Sequence, residues 1–354
     1  MNKHLFASAV LATLAAANTA LAQSNVTIYG IIDNGIENLT NSGPNGGTVN
    51  RVSSGGMNNS RFGFRGKEDL GGSMKAVFAL EGGLLTDTGA SDGGLFRRQA
   101  NVGLEGRYGR LVIGRSFTTT YDFMVQFDPM AYAPYYSWAL SGTAANVSTY
   151  SMTTSADNLL KYSLEAGQFK FGATYALGEQ TTGASDGAKY QGGVSYSNGA
   201  LSLVSTVERS NGNNVAATNR HDKTSVIHAG AMYTIGAYKL QLAGRSYKSE
   251  PNNRALRDVR ANLYWTGVTY QAMPALLLTG AVYYQDIKNL AANSDADPVM
   301  YIARARYALS KRTDVYLTGA YAKAKHDKTV SLSHNEAGFA DTQRGIMTGI
   351  QHRF

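Results

Sequence analysis

QRGIMTGIQHRF, residues 343–354, closes the chain. Within it Ile346, Thr348, Ile350, His352 and Phe354 recur with period two, set against Arg344, the residues about Gly345, and Arg353. One lipid-compatible face alternating with one polar face marks a strand of a transmembrane β-barrel. The last strand of a soluble sandwich alternates too, so the pattern needs support from elsewhere in the chain. A closed barrel must pair its final strand with its first, and a sequence that stops inside a strand on an aromatic fits closure.

The other end supplies that support. Residues 1–22 (MNKHLFASAVLATLAAANTALA) carry Lys3, an apolar stretch over 5–17 and Ala20-Leu21-Ala22 before Gln23. That is the pattern of a secretory signal with an Ala-x-Ala cleavage site, which predicts a leader over 1–22 and one mature domain over 23–354. The apolar stretch is too short to span a bilayer, and no later segment has eighteen apolar residues in succession.

Composition narrows the class. With no cysteine, an exported chain has no disulfide scaffold, thiolate metal site or thiol nucleophile. Gly is 39 of 354, above the usual ~7%, while Pro is only 6. Tyr is 22 against 2 Trp and 12 Phe, and the mean hydropathy is −0.24. A barrel shows lipid only alternate residues, so mild hydrophilicity is expected of it, and tyrosines suit its rims. The formal charge is +8, spread singly without a basic block. Export argues against nucleic acid as a partner; dispersed positive charge suggests a cationic lumen or surface that attracts anions.

Connections alternate between short (near 67–72, 106–109, 166–168, 198–199, 235–237, 271–275 and 309–313) and long and polar (near 38–58, 86–95, 117–155, 179–188, 210–223, 249–256, 287–298 and 325–342). Asn198-Gly199 suits a two-residue hairpin, and Pro274 belongs at a strand boundary. The pattern predicts an all-β, 16-stranded antiparallel transmembrane β-barrel in one domain. Alternation assigns faces. Phe62 and Phe64 oppose Arg61 and Arg65, Phe169 and Phe171 oppose Lys170, and Tyr301 to Tyr307 oppose Arg304 and Arg306. A charge on the lipid face costs ~2–4 kcal/mol at the midplane, so these cations, with Lys161 and Arg245, are expected to line the lumen.

Segment 117–155 is too long for an ordinary connection. It carries Asp122, Asp128, Pro129, Pro134 and the aromatics Tyr132, Tyr135, Tyr136 and Trp138, a set that should pack against something, with the barrel interior available. Catalytic patterns are weak. His221, His326 and His334 fall in expected loops, and His228 and His352 lack a Ser or Asp companion by spacing. No HExxH, P-loop or EF-hand pattern is present, Glu68-Asp69 reads as an exposed turn, and the Gly-rich stretch 42–56 reads as a loop. No enzyme activity, cofactor or metal is implied.

Five blocks carry a resemblance: VTIYGIIDNG (26–35), SRFGFRGKEDLGGSMKAVFALEGG (60–83), FRRQANVGLEGRYGRLVIGR (96–115), ALSKRTDVYLTGAY (308–321) and GIQHRF (349–354). Together they resemble the general porins of Gram-negative, β-proteobacterial outer membranes, across essentially the mature chain. The resemblance implies a homotrimeric diffusion channel in the outer membrane, among its lipid and lipopolysaccharide. It implies a third loop folded inward to narrow each pore opposite wall arginines. It also implies a C-terminal residue, Phe354, read by the barrel-assembly machinery. Arg61 and Arg98 sit where the family's wall arginines stand, and Asp122 and Asp128 lie on the constriction-loop segment.

Two departures matter. Arg97 stands where the family usually has Gly; simple alternation sends Arg97 inward with Gln99 and Asn101, whereas the resemblance sends Arg98 inward. Ser155 replaces a further usual arginine, which implies a less positive, wider eyelet. The reading is a weakly anion-preferring general porin passing ions and small hydrophilic solutes. Its rivals are a substrate-selective pore for organic acids, with the loop aromatics as a binding track, and an outer-membrane adhesin or enzyme on the same barrel.

Overall fold

The computed structural model describes residues 25–140, 150–333 and 336–354; the expected leader over 1–22 and His334 lie outside the described residues. The barrel strands are β1 (Asn25–Leu39), β2 in two pieces (Val49–Ser54 and Arg61–Gly71), β3 (Met74–Leu85), β4 (Gln99–Gly106), β5 (Gly109–Phe117), β6 (Ser155–Ala166), β7 (Phe169–Ala176) and β8 (Lys189–Ser197). They continue through β9 (Leu201–Asn211), β10 (Lys223–Ile235), β11 (Tyr238–Glu250), β12 (Val259–Met273), β13 (Leu276–Lys288), β14 (Val299–Ala308), β15 (Thr313–Lys323) and β16 (Thr342–Arg353). Both pieces of β2 pair with β1, one with its upper half and one with its lower half, so they count as one strand. A two-residue pair, Ala90–Ser91, adds only a loop flap to the tip of β3. The barrel is therefore sixteen-stranded, antiparallel throughout and closed by β1 on β16. Closure is what lipid demands: a bilayer offers no water to satisfy an open sheet edge.

The seam shows why the chain's last residue matters. Register runs from Ile31 opposite Arg353 to Leu39 opposite Gly345. Beyond it, Phe354 N–H donates to Gly30 O at 3.2 Å, and Gly30 N–H donates to Phe354 O at 3.1 Å. The Phe354 ring lies over Gly30, so close that a Cβ on Gly30 would collide with its Cζ.

Short and long connections alternate as the sequence suggested, with local corrections. β2 runs on to Gly71, so Glu68 and Asp69 lie in a strand end, not in a turn. The 198–201 hairpin centres on Gly199-Ala200, one residue later than expected. Asn198 N–H donates to Leu201 O at 3.0 Å, and Gly199 takes φ +91°, the conformation glycine supplies at the first central position. The loop expected over 38–58 is partly strand, through Val49–Ser54.

Alternation holds along the walls. On β16 Ile346 and Ile350 are exposed, whereas Met347 and Gln351 are buried. Arg344 belongs to the outer row with Ile346, not to the polar complement, and its guanidinium lies 5.8 Å above the outward Tyr321 ring. Outward apolar side chains here face lipid and need no protein cover.

The interruption of β2 has a cause. Asp33 of β1 is fully buried and points inward. Its carboxylate accepts from the backbone N–H groups of Gly56 (3.1 Å), Met57 (3.0 Å) and Asn58 (2.9 Å), and from Tyr316 OH (2.7 Å). Segment 55–60 is thereby drawn inward from the wall, ending immediately before Arg61. Charge-assisted bonds of this kind contribute about 1.5–3 kcal/mol each.

Two outcomes are expected. Asp33→Ala should lower the temperature at which the folded barrel converts to unfolded chain on a semi-native gel, with Asp33→Asn intermediate because one amide oxygen can still accept. Deleting Phe354 removes two seam bonds worth about 0.5–1.5 kcal/mol each. The purified, refolded barrel should then convert at lower temperature than wild type.

Candidate functional site

The long loop after β5 enters the barrel and stays there. Thr118 fastens both of its ends: its hydroxyl caps helix α1 (Thr119–Met124) at Tyr121 N–H, 3.3 Å, and donates to Thr153 O at 2.6 Å. Its own N–H donates to Thr154 O at 3.0 Å. Helix α1 lies on β7 and β8, where Gly172 and Gly193 leave it room. A Cβ on Gly172 would meet Phe123 at 2.7 Å, and one on Gly193 would meet Thr119 at 3.0 Å. A 3₁₀ turn (Val125–Phe127) then carries the chain across β11 to β13, with Phe127 O accepting from Trp265 Nε1 at 2.9 Å.

The loop aromatics are core. Trp138 and Tyr136 are fully buried and Tyr132 nearly so, packed with Trp265, Tyr283, Met300 and Met347 of the inner wall. Each such ring removes ~150–250 Å² from water, an upper bound of roughly 4–6 kcal/mol. Tyr136 OH donates to Glu37 at 2.7 Å, and Arg51 holds the other Glu37 oxygen at 2.6 Å. A solute track built from Tyr132, Tyr136 and Trp138 therefore has no surface to offer; only Tyr135 is half-buried.

Asp128 is likewise structural. It is 2 % exposed, and its carboxylate accepts from the N–H groups of Met130 (3.2 Å) and Tyr132 (2.7 Å), from Ser137 Oγ (2.7 Å) and from Tyr283 OH. Burial pushes this carboxyl up, while the four donors pull it down. Arg245 is a clamp: buried, it donates to the carbonyls of Ala139 (2.9 Å) and Leu140 (3.1 Å). Both are buried, contrary to the expectation that set Asp128 on the constriction by resemblance and Arg245 on the lumen by alternation: neither signal tells what covers a side chain.

Facing the open side, the β1–β6 wall carries a compact charged group. Glu81 of β3 accepts from Arg98 Nε at 2.7 Å and Tyr29 OH at 2.8 Å, with Arg61 Nε at 3.8 Å. Arg61 also donates to Asn59 O at 3.0 Å, so the inward segment held by Asp33 orients it. The Arg98 guanidinium lies 5.1 Å from the Phe117 ring, which stacks on Tyr121 of α1 at 4.3 Å. Burial pushes the Tyr121 phenol up, against the pull of Arg98 and Arg61, and keeps it neutral. Arg97 is exposed and pairs instead with Asp92 at 2.9 Å, apart from Glu81. Regular pairing begins only at Gln99, so the alternation that would have put Arg97 inside does not extend to it.

On the loop side Lys161 of β6 donates to Asp122 (2.7 Å), Ser116 Oγ (3.1 Å) and Phe117 O (2.8 Å). At the edge of this group Arg65 lies 5.0 Å from the Tyr29 ring, and farther off Lys170 lies 5.3 Å from Phe123 and 3.9 Å from Glu165. Arg304 and Arg306 face inward, half-buried, with Arg304 on Thr318 at 3.3 Å. Ser155 accepts from the outward Arg115 at 3.3 Å. Two wall arginines against Glu81, and Lys161 against Asp122, leave one surplus positive charge beside α1. Glu81 escaped the sequence reading although it alternates with Val77 and Ala79 on the inner face and pairs with Gly63 between Arg61 and Arg65. Among the described residues no cluster of side chains has the make-up of a metal site.

If Asp128 organises the loop, Asp128→Ala should leave barrel yield near wild type but raise open-channel current noise and admit larger neutral solutes in liposome swelling. Unchanged noise and exclusion would show that the aromatic packing alone fixes the loop.

The sequence matches the Gram-negative porin family over residues 7–327. It is 31% identical to outer membrane porin protein 32 of Delftia acidovorans and 29% identical to an outer membrane porin protein of Bordetella pertussis, each over all of both chains. The fold superposes on an anion-selective porin from Comamonas acidovorans with TM-score 0.82, at 26% identity, covering 94% of this chain and all of that one.

Proposed function

We propose, for a chain that belongs to the Gram-negative porin family, that it is a general diffusion porin of the outer membrane with a weak preference for anions. It is a channel, not a site of chemistry. Solutes diffuse through water past a constriction whose width sets the size limit and whose fixed charge sets ion preference. The observation that carries the anion preference is the Arg61–Glu81–Arg98 group facing α1, where two cations share one carboxylate. A fixed surplus charge in a narrow, low-dielectric passage raises the local concentration of counter-ions, and salt screens it over ~10 Å at 0.1 M.

In this reading Arg61 and Arg98 attract anions, Glu81 moderates them, and Asp122 with Lys161 holds the loop's edge of the passage. Arg65, Lys170, Arg304 and Arg306 add a more distant positive field. The burial of Tyr132, Tyr136 and Trp138 argues against the organic-acid track. The working form is a homotrimer set in outer-membrane lipid, and Phe354 is the end recognised by the assembly machinery. Loss of Phe354 should then lower assembled protein in cells by more than the weakened seam does in purified refolding; equal losses would remove the recognition role.

Single-channel recording in a salt gradient tests the constriction. Arg61→Ala with Arg98→Ala should move the zero-current potential toward cation preference, most at low salt. Glu81→Gln should move it the other way, because it removes the counter-charge and keeps the shape. Wild-type selectivity in the double variant at low salt would transfer the role to Arg65, Lys170, Arg304 and Arg306.

A further inference from the structure

Arg245 of β11 is buried between wall and loop, yet among the described residues no carboxylate stands at ion-pair distance from its guanidinium. Nη1 serves the carbonyls of Ala139 and Leu140, while Nη2 is buried without a partner. The acid that reaches Arg245 through space, Glu208 of β9, is engaged by Thr153 N–H at 3.0 Å and Ser210 Oγ at 3.2 Å. Residues 141–149 of the loop carry no acid. A cation taken out of water is normally paired, because an unpaired one loses its hydration and gains no counter-charge.

The same place holds further donors that lack an acceptor. His228 of β10 stands opposite Arg245 in register, where cross-strand Cβ atoms are ~4.5–5.5 Å apart. It is 1 % exposed; Thr206 of β9 meets its Nδ1 at 3.2 Å, and its Nε2 is buried without a partner. From the loop side comes Tyr132, whose buried hydroxyl also has no partner and lies within electrostatic reach of Arg245. Two further acids that reach Tyr132 are engaged elsewhere, Asp128 by its four donors and Asp122 by Lys161 at 2.7 Å. With Thr206 donating to Nδ1, the imidazole Nε2–H, the guanidinium Nη2 and the phenol O–H are all donors. The unpartnered acceptors of this wall are neutral and displaced. Gln285 stands beyond Leu263 in the same row, and Gln241 is four residues from Arg245 along β11, ~13 Å.

We propose that a small monovalent anion of the halide class binds behind the loop, held by Arg245 Nη2, His228 Nε2 and Tyr132 OH. One unpaired positive charge selects one negative charge, since a dianion would leave a buried charge uncompensated. A halide accepts from several directions at once, and bonds to an ionised acceptor are roughly twice as strong as neutral ones. Water could accept the three bonds but would leave the guanidinium charge unmatched. The ion joins β10 and β11 to the loop beside the carbonyls that Arg245 already holds. This site lies apart from the Arg61–Glu81–Arg98 group, and the inference does not depend on the channel reading.

The chain's two tryptophans report on this place. Trp138 precedes the clamped Ala139, Trp265 stands two residues from Leu263, the partner of Arg245 in register, and both are buried. The whole mature protein in mild detergent is titrated with sodium bromide against sodium gluconate at constant ionic strength, and tryptophan emission is read. Bromide bound behind the loop should quench along a saturable curve, whereas ions in bulk water do not collide with buried rings. Tyr132→Phe keeps the ring and removes one donor, and should weaken apparent bromide affinity about tenfold. Arg245→Met should weaken it about thirtyfold or more. Wild-type crystals soaked in bromide should show an anomalous peak at hydrogen-bonding distance from Arg245 Nη2 and Tyr132 OH, a result that stands even if Arg245→Met fails to fold. A response linear in bromide, wild-type bromide affinity in Tyr132→Phe, or a crystal with water alone at this place would overturn the proposal.

Discussion

The hydrogen bonds that join β1 to β16 are the constraint on which everything else in this molecule hangs. A bilayer leaves no unpaired N–H or C=O unpunished, so sixteen strands must form a cylinder or fail as a sheet. Closure creates two surfaces with opposite requirements. The outer one can be apolar without protein cover; the inner one must be wet, filled or both. Reciprocal bonds between Gly30 and Phe354 complete the seam at its last register, and the aromatic ring covers the glycine that receives it.

The filling of the inner surface follows from glycine as much as from aromatics. Loop residues from Phe123 to Trp138 form, with the inner wall of β9 to β16, the cluster that a soluble protein would keep at its centre. They can lie so close because Gly172, Gly193 and Gly267 present bare backbone. The loop is therefore a lining for one side of the barrel, and in the proposed reading the water path is displaced toward β2 to β6. That displacement, more than any motif, brings α1 opposite Arg61 and Arg98.

Much of this was legible in the sequence. Period-two alternation, with turn residues between runs, gave the strand number and the inward direction of Arg61, Arg65, Lys161 and Lys170, because both are local properties of a pleated chain. What covers a residue is not local. Asp128 read as a pore charge by resemblance and Arg245 by direction, yet one organises a turn with four donors and the other clamps carbonyls at Ala139 and Leu140. Arg98 was out of reach of alternation because regular pairing starts one residue later, and only the family resemblance pointed it inward. The inward fold at 55–60 depends on Asp33 meeting three backbone N–H groups far along the chain, which no spacing rule announces.

Glu81 bears on speed as well as on charge. In the proposed constriction a passing anion would reach two guanidinium groups that a fixed carboxylate already occupies at 2.7 and 3.8 Å, so each ion would have to compete for donors and surrender them as soon as Glu81 returns. Arginines left alone would grip an anion and lengthen its dwell time, and traffic behind it would queue. A built-in competitor keeps every stop brief, so the passage gives up discrimination in exchange for throughput, as suits an opening that serves many solutes and none in particular.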